Sequence, residues 1–194
     1  MKSLILTSLL VLAVLTTTAQ ENLSARKLAL PSVDLKTLNA KKFNTQSMDN
    51  EGKPIIICFF ATWCKPCMTE LKSISDLYDD WKEETGVKIY AISIDDSRSA
   101  SKVLPLVKAQ NWDYEFLLDE NSEFKRAMNV NDIPHTFVLN GNKEIVWQHT
   151  SYSPGAEEEY IKVVRKLIVE SKTKMETETA TETETETETE TKPE

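Results

Sequence analysis

Two cysteines three positions apart, Cys64 and Cys67, are the residues of this chain best suited to chemistry. Cysteines at this spacing can form and break a disulfide, or they can supply half of a metal site. They follow the apolar run at residues 55–60 and open a segment whose apolar residues recur at helical spacing. The sequence therefore predicts a reactive pair at a junction between a strand and a helix.

The start of a helix is a setting that makes thiols reactive. Its unpaired backbone N–H groups and partial positive charge favour the thiolate, which is the species that attacks disulfides. We expect Cys64, at the very start, to be the more exposed nucleophile, and Cys67, one turn on, to be shielded and to resolve the mixed disulfide. Pro66 fits the first helical turn because its missing N–H costs nothing there. Trp63 is expected to pack beside the site.

The elements around this pair alternate between strands and helices. The run at residues 55–60 has no polar alternation, which predicts a strand buried on both faces, and residues 65–84 predict a helix that Gly86 ends. Further strands are predicted at 33–38, 42–45, 87–94, 114–118, 136–139 and 144–149, and further helices from 97 or 99 to 110 with a break at Pro105, at 121–128 and at 157–170. Asn140-Gly141 is predicted to turn the last two strands into a hairpin. This order predicts an α/β fold in which helices cover a mixed central sheet.

The two ends of the chain differ from its body. Residues 1–19, with Lys2 before a short apolar run, predict a signal peptide, and an uncleaved membrane anchor is the alternative. Residues 20–32 form an N-terminal extension and residues 33–171 the folded domain. Residues 172–194 are rich in Thr and Glu and are expected to be a disordered tail. The net charge of -8 and the absence of a basic stripe argue against nucleic-acid binding.

The segment Phe-Ala-Thr-Trp-Cys-Lys-Pro-Cys at residues 60–67, followed by Ile133-Pro134, resembles the thioredoxin superfamily. The likeness is greatest to the exported TlpA/ResA-like branch and covers about residues 28–171. It implies a thioredoxin-like fold with an N-terminal hairpin and an extra helix–strand insertion. It also implies a protein-disulfide reductase that cycles Cys64 and Cys67 between dithiol and disulfide, with no cofactor and no bound metal.

The resemblance also implies roles for residues around the pair. Pro134 is implied to be cis and to face the cysteines, and the backbone of Ile133 to pair with the substrate as an added strand. Trp63 belongs to the same substrate-binding surface. Glu70, at the position where ResA-like reductases carry a glutamate, is implied to modulate cysteine protonation; the alternative is a solvated surface glutamate. The implied partners are exported client proteins with disulfides and a membrane electron donor of the CcdA/DsbD type, in the periplasm or cell envelope.

One position departs from thioredoxin itself. Thioredoxins carry a buried aspartate at the position that Cys58 occupies here, so their usual proton acceptor is absent and Glu70 is a partial replacement. Cys58 is expected to be a small buried core residue, with a third redox cysteine as the alternative. His135 is expected to be a structural or rim residue, with a proton-transfer group as the alternative.

Four alternatives compete with a reductase. A copper-binding thiol chaperone would use both thiolates with Met68 or His135, although the copper-delivery relatives of this fold have a wider Cys-x-x-x-Cys spacing and a distant histidine. A disulfide oxidase would run the same cycle in the opposite direction, and an idle structural disulfide would not turn over. A peroxiredoxin would need a Pro-x-x-x-Thr-x-x-Cys arrangement, which this sequence does not contain.

Overall fold

The computed structural model describes residues 28–187, so the predicted signal peptide, most of the N-terminal extension and the last residues of the tail lie outside the described residues. The strands are β1 Leu28–Ala29, β2 Asp34–Thr37, β3 Lys42–Asn44, β4 Ile55–Phe60, β5 Lys88–Ser93, β6 Glu115–Leu118, β7 His135–Leu139 and β8 Glu144–Thr150. The helices are α1 Lys65–Ser75, α2 Tyr78–Thr85, α3 Val103–Gln110, α4 Glu123–Ala127 and α5 Glu157–Thr187, with short 3-10 turns at Thr45–Ser47 and Ala100–Lys102.

The strands form one mixed sheet in the order β1-β8-β7-β4-β5-β6-β2-β3. The central strand β4 runs parallel to β5 and antiparallel to β7, and the hairpin of β2 and β3 joins the sheet through β6. The predicted mixed sheet, N-terminal hairpin and terminal hairpin of β7 and β8 are therefore confirmed. The strand β1, which pairs with β8, was not predicted because it is only two residues long.

Both faces of β4 are buried, as the unbroken apolar run predicted. Every residue of the strand is buried, and successive side chains enter two different cores. The core that we call the cysteine-side core contains Ile56, Cys58, Phe60, Cys64, Cys67, Leu71, Tyr160 and Val164. The opposite core contains Ile55, Ile57, Phe59, Met48, Phe124 and Phe137. The end of β4 is thus held from both sides just before the cysteine pair begins.

The prediction of one helix over residues 65–84 is wrong, because the structure divides this segment into α1 and α2. The N–H of Asp76 donates to the carbonyls of Ile74 and Lys72, and the φ of Leu77 changes to -118°, far from the usual value in a helix. This bend brings the hydroxyl of Tyr78 to β5, where it accepts a hydrogen bond from the N–H of Ile89 at 3.3 Å. Apolar spacing continues across the break, so periodicity could not reveal it.

Two predicted turns and breaks also differ in detail. Pro105 does not interrupt α3, because the helix begins only at Val103 and the first turn of a helix needs no N–H from this position.

In the loop between β7 and β8 the left-handed residue is Lys143, with a φ of 62°, rather than Gly141. Gly141 is needed for space instead, since a Cβ there would overlap the backbone carbonyl of Gly52.

The final helix is longer than the apolar pattern predicted. Among the side chains that the structure describes, Leu167 is the last of this helix to pack against the core. The helix itself continues to Thr187, so the prediction that it ends near residue 170 is wrong and residues 172–187 are helical. Local backbone hydrogen bonds can extend a helix without apolar burial, and the Thr173 hydroxyl adds a bond to the carbonyl of Val169 at 3.0 Å. Within residues 28–187, no helix combines the length and apolar composition needed to cross a bilayer.

Candidate active site

Cys64 and Cys67 are joined by a disulfide at the start of α1, where their Cα atoms are 5.3 Å apart. Cys64 is the N-cap residue of the helix and Cys67 lies in its first turn. The exposed fraction is 5% for Cys64 and 0% for Cys67, so Cys64 is the more accessible cysteine of the two. The structure thus places the more accessible cysteine where the sequence predicted it.

The backbone of α1 is aimed at the sulfur of Cys64. The N–H of Cys67 donates to the Cys64 Sγ, with 3.2 Å between the nitrogen and the sulfur. This N–H is one of the donors that a helix start leaves without a partner, and it will stabilise negative charge on the sulfur. Pro66 occupies the first turn, where it removes no helical hydrogen bond. The local geometry favours a thiolate at Cys64 once the disulfide is reduced.

The sheet brings Pro134 to the end at which the cysteines lie. Strands β4 and β7 are antiparallel with Phe59 opposite His135, so the end of β4 and the start of β7 meet at one edge. The Ile133–Pro134 bond immediately precedes β7 and is cis, as the resemblance implied. Ile133 is partly buried and packs against both cores. Pro134 and the cysteine pair therefore share one end of the sheet.

Trp63 does not pack into the protein beside the pair. Its side chain is 68% exposed and borders a shallow groove that runs along the turn after β5, lined also by Ile94, Asp96, Arg98, Ser99 and Lys102. The expectation that it packs beside the site is wrong in this respect. An exposed indole next to a reactive disulfide instead offers apolar surface to another molecule.

Asp95 is an active-site neighbour that the sequence analysis missed. It is fully buried just after β5, and its carboxylate accepts hydrogen bonds from the backbone N–H and the hydroxyl of Thr62 at 2.8 and 2.7 Å. The hydroxyl of Ser93 donates to it as well, at 2.8 Å. These bonds tie the segment before Cys64 to the neighbouring strand. A polar residue directly after a buried strand is the signal that could have found it.

Glu70 is buried, with an exposed fraction of only 1%, so the solvated-surface alternative is wrong. It lies one helical turn after Cys67 on the same face of α1. Its Oε1 accepts hydrogen bonds from the hydroxyl of Thr136 on β7, at 2.9 Å, and of Tyr160 on α5, at 2.7 Å. Within the described part of the chain, its Oε2 is buried and has no hydrogen-bond partner. Neither hydroxyl was found from the sequence.

Burial raises the pKa of Glu70 from 4.5 to about 7. The desolvation of the charged carboxylate is the largest cause, and the bonds from Tyr160 and Thr136 offset part of it. The negative charge of Glu157 raises the pKa further. A carboxyl group that titrates near neutral pH can accept or release a proton under the conditions in which thiols exchange.

Cys58 lies in the cysteine-side core, fully buried and without a disulfide. It stands directly opposite Thr136 in the pairing of β4 with β7. Burial raises the pKa of its thiol well above the ordinary value, and the charge of Glu70 raises it further, whereas a hydrogen bond with Thr136 lowers it. The geometry matches the expected inert core residue, because a thiol held this firmly in the protonated form is a poor nucleophile.

His135 points to the face of the sheet away from the cysteine pair. Its ring packs on Phe137 of the opposite core, with 4.5 Å between the ring centroids, and its two nitrogens lie 3.3 Å from the side-chain oxygen of Gln148 and 2.9 Å from the hydroxyl of Thr150. Burial lowers the pKa of this histidine. The structure thus gives it the predicted structural place. Over residues 28–187, no group of three or more His, Cys, Asp or Glu side chains is arranged to hold a metal ion.

Comparisons with known proteins agree with this site. Residues 27–148 match the model of the AhpC/TSA family. The thiol–disulfide oxidoreductase ResA of Oceanobacillus iheyensis is 32% identical over 119 residues, which are 60% of this chain and 60% of that protein. ResA of Bacillus thuringiensis is 28% identical over 148 residues, covering 76% of this chain and 82% of that protein.

Solved structures give the same result. A thioredoxin-like protein from Porphyromonas gingivalis superposes with a TM-score of 0.66 at 52% identity, covering 73% of this chain and 92% of that one. StoA from Bacillus subtilis shares the fold, with a TM-score of 0.55 at 21% identity over 69% of this chain and 98% of that one. The chain therefore belongs to the AhpC/TSA family, has the thioredoxin-like fold, and is similar to thiol–disulfide oxidoreductases of the ResA type.

Proposed function

We propose that this protein is a reductase of disulfides in exported client proteins and that Cys64 and Cys67 carry the electrons. The observation that carries the proposal is the asymmetry of the pair: Cys64 is reachable and accepts a helix N–H, whereas Cys67 is fully buried. This arrangement suits a nucleophile that meets the client and a partner that attacks from within. Trp63 and the backbone of Ile133 supply the client-binding surface around it.

The cycle begins with the reduced protein. The Cys64 thiolate attacks one sulfur of a client disulfide, which forms a mixed disulfide and releases the second client sulfur as a thiolate. Cys67 then gives up its proton and attacks the Cys64 sulfur, which forms the Cys64–Cys67 disulfide and releases the first client sulfur. Two electrons pass from the pair to the client, and the two client thiolates take up protons to become thiols.

Glu70 is the group in the described residues that we assign to the proton of Cys67. Glu70 lies one turn after Cys67 on α1, both side chains are buried, and burial raises the pKa of Glu70 to about 7. A shielded thiol loses its proton reluctantly, so a nearby proton acceptor lowers the barrier to resolution. Cys58 takes no part in the cycle.

The compartment and partners follow from the N-terminal segment and the chemistry. Residues 1–19 would direct the chain out of the cytoplasm into the periplasm or cell envelope, where disulfides form readily. A reductase in an oxidising compartment needs a steady supply of electrons. We therefore assign its re-reduction to a membrane electron donor of the CcdA/DsbD type.

Trapping variants test the roles of the two cysteines. Cys67→Ala should accumulate mixed disulfides with clients, because the Cys64 thiolate can still attack but nothing resolves the product. Cys64→Ala should trap none, because the remaining sulfur is buried. The mixed disulfides can be counted on non-reducing gels after acid quenching. Equal trapping by both variants would overturn the assignment of Cys64 as the attacking thiol.

The reduction potential of the pair tests the direction of electron flow. We expect a potential below about -220 mV in equilibrium with glutathione or dithiothreitol, closer to thioredoxin at about -270 mV than to DsbA at about -120 mV. Insulin reduction by the wild type, absent in Cys64→Ala, should accompany it. A potential near that of DsbA would instead make the protein an oxidase.

A further inference from the structure

We propose that Tyr160 and Thr136 are positioning residues that fix Glu70 in one orientation, so that Oε2 is the oxygen that carries its proton. This inference rests on the proposed function, because it specifies how the acid of the same site is held. It assigns a part in the chemistry to the final helix, which lies far along the chain from the cysteine motif.

Both hydroxyls converge on a single atom. The Tyr160 hydroxyl oxygen lies 2.7 Å from Glu70 Oε1, and the Thr136 hydroxyl oxygen lies 2.9 Å from the same Oε1. All three side chains are almost completely buried, with exposed fractions of 0 to 1%. Glu70 lies on α1, and its carboxyl group is held by one hydroxyl from β7 and one from α5. It cannot rotate without breaking both hydrogen bonds.

The free oxygen is the place for the proton. A carbonyl-type oxygen has two lone pairs, and the two hydroxyl donors occupy both of those on Oε1. Oε2 is buried, and no group in residues 28–187 donates to it. A negative charge concentrated there would be poorly stabilised, whereas an O–H at Oε2 would leave Oε1 fully satisfied. The arrangement therefore fits a neutral acid with its proton on Oε2.

Tyr160 is itself held firmly. Its ring packs against Trp147 of β8 with 5.3 Å between the centroids. Ile161 and Val164 fix the same turns of α5 in the cysteine-side core. The tyrosine hydroxyl is thus part of a rigid wall, and its bond to Glu70 does not depend on the exposed part of the helix.

The groups that act on Glu70 define the expected pH dependence. Four titratable groups interact electrostatically with Glu70: Cys58 on β4, Tyr152 before α5, and Glu157 and Tyr160 on α5. The cysteine pair lies on the same helix as Glu70. Of these, only Tyr160 donates a hydrogen bond to the carboxyl group, and Thr136 adds the second. Donors stabilise the carboxylate more than the acid, so removal of either hydroxyl should raise the pKa of Glu70.

The expected change can be stated as a shift and a ratio. Loss of one hydrogen bond to a charged group corresponds to a rise of about one pH unit. At pH near 7, such a rise would reduce the fraction of Glu70 present as carboxylate from about half to about a tenth. Resolution by Cys67 should then be about fivefold slower near pH 7 and almost unchanged near pH 9.

The test compares Tyr160→Phe with Tyr114→Phe, a matched control. Tyr114 is also buried and its hydroxyl also donates to α1, but to the backbone carbonyl of Leu71, at 2.8 Å, rather than to Glu70. The titration of the Glu70 side-chain carboxyl carbon is followed by carbon-13 NMR in the full-length oxidised proteins. We expect the midpoint to move upward by about one unit in Tyr160→Phe and to stay at the wild-type value in Tyr114→Phe.

A second variant, Thr136→Val, and a second measurement, the rate of resolution, test the same inference independently. Thr136→Val removes the other hydroxyl without changing the shape of the side chain, so it should move the midpoint in the same direction if Tyr160→Phe does not fold. Release of glutathione from a Cys64 mixed disulfide gives the rate of resolution against pH. Equal midpoints in the wild type, Tyr160→Phe and Thr136→Val would overturn this inference. A wild type that fails to reduce insulin would instead overturn the proposed function, and the NMR titration would still decide whether the two hydroxyls act on Glu70.

Discussion

Replacing Glu70 by glutamine should change how the stability of the protein depends on pH. The folded protein raises the pKa of this group from 4.5 to about 7, mainly because the charged form loses its hydration. Between these two values the native state keeps a proton that the unfolded chain releases. The contribution of Glu70 to the free energy of unfolding is therefore fully present below pH 4.5 and is lost as the pH rises through about 7.

The size of the effect follows from the shift. Each unit of pKa corresponds to about 1.4 kcal/mol, so the upward shift of Glu70 should cost the wild type about 3 kcal/mol of stability between acidic and mildly alkaline pH. Glutamine has nearly the same shape but does not titrate. The stability of the wild type relative to Glu70→Gln should therefore fall by about 3 kcal/mol from about pH 4 to about pH 8.5.

Urea unfolding of the two oxidised proteins at a series of pH values measures this difference. The disulfide stays closed throughout, so Cys64 and Cys67 do not titrate, and all other groups are common to both proteins and cancel in the comparison. Two stability curves that run parallel over the whole range would refute the reasoning. They would mean that Glu70 ionises in the folded protein with the pKa of an exposed carboxyl group.

Three further predictions concern features outside this carboxyl group. Cys58 should resist alkylation in the native oxidised protein, since burial keeps its thiol protonated; rapid labelling found by peptide mass mapping, or a disulfide containing Cys58, would contradict this. Deletion of residues 172–194 should leave the melting temperature and insulin reduction nearly unchanged, because Leu167 is the last residue of α5 that packs against the core among the described side chains, and a drop of more than a few degrees would show that the tail packs. Gly141→Ala should destabilise the protein by about 1–3 kcal/mol in urea, because its Cβ would overlap the carbonyl of Gly52, whereas unchanged stability would show that the loop can yield.

The parts of the site that the sequence predicted are those encoded by neighbouring residues. The Cys64–Cys67 pair, the strand before it and the helix after it depend on a continuous segment, and local patterns describe such segments well. Pro134 was placed through a family resemblance rather than through its own surroundings. The proposed role of Glu70 was named, but its burial was not, because its spacing from Cys67 says nothing about which elements cover α1.

The missing parts depend on contacts between distant segments. Thr136 is 66 residues from Glu70 and Tyr160 is 90 residues away, and no local pattern links such positions. Tyr160 lies within the helix predicted at 157–170, and a tyrosine at a core-facing position needs a partner for its hydroxyl, but the sequence does not say which residue that partner is. The break between α1 and α2 was missed for a related reason, since the apolar spacing is the same on both sides of Asp76.

The disulfide joins residues separated by only three positions within one helical turn. A cross-link across so short a loop removes little freedom from the unfolded chain, so opening it withdraws little support from the fold. Neither cysteine belongs to a strand of the β-sheet, and most of the two cores is formed by other residues. A fold that depends so little on this bond suits a protein that opens and closes the bond repeatedly as a reusable carrier of electrons.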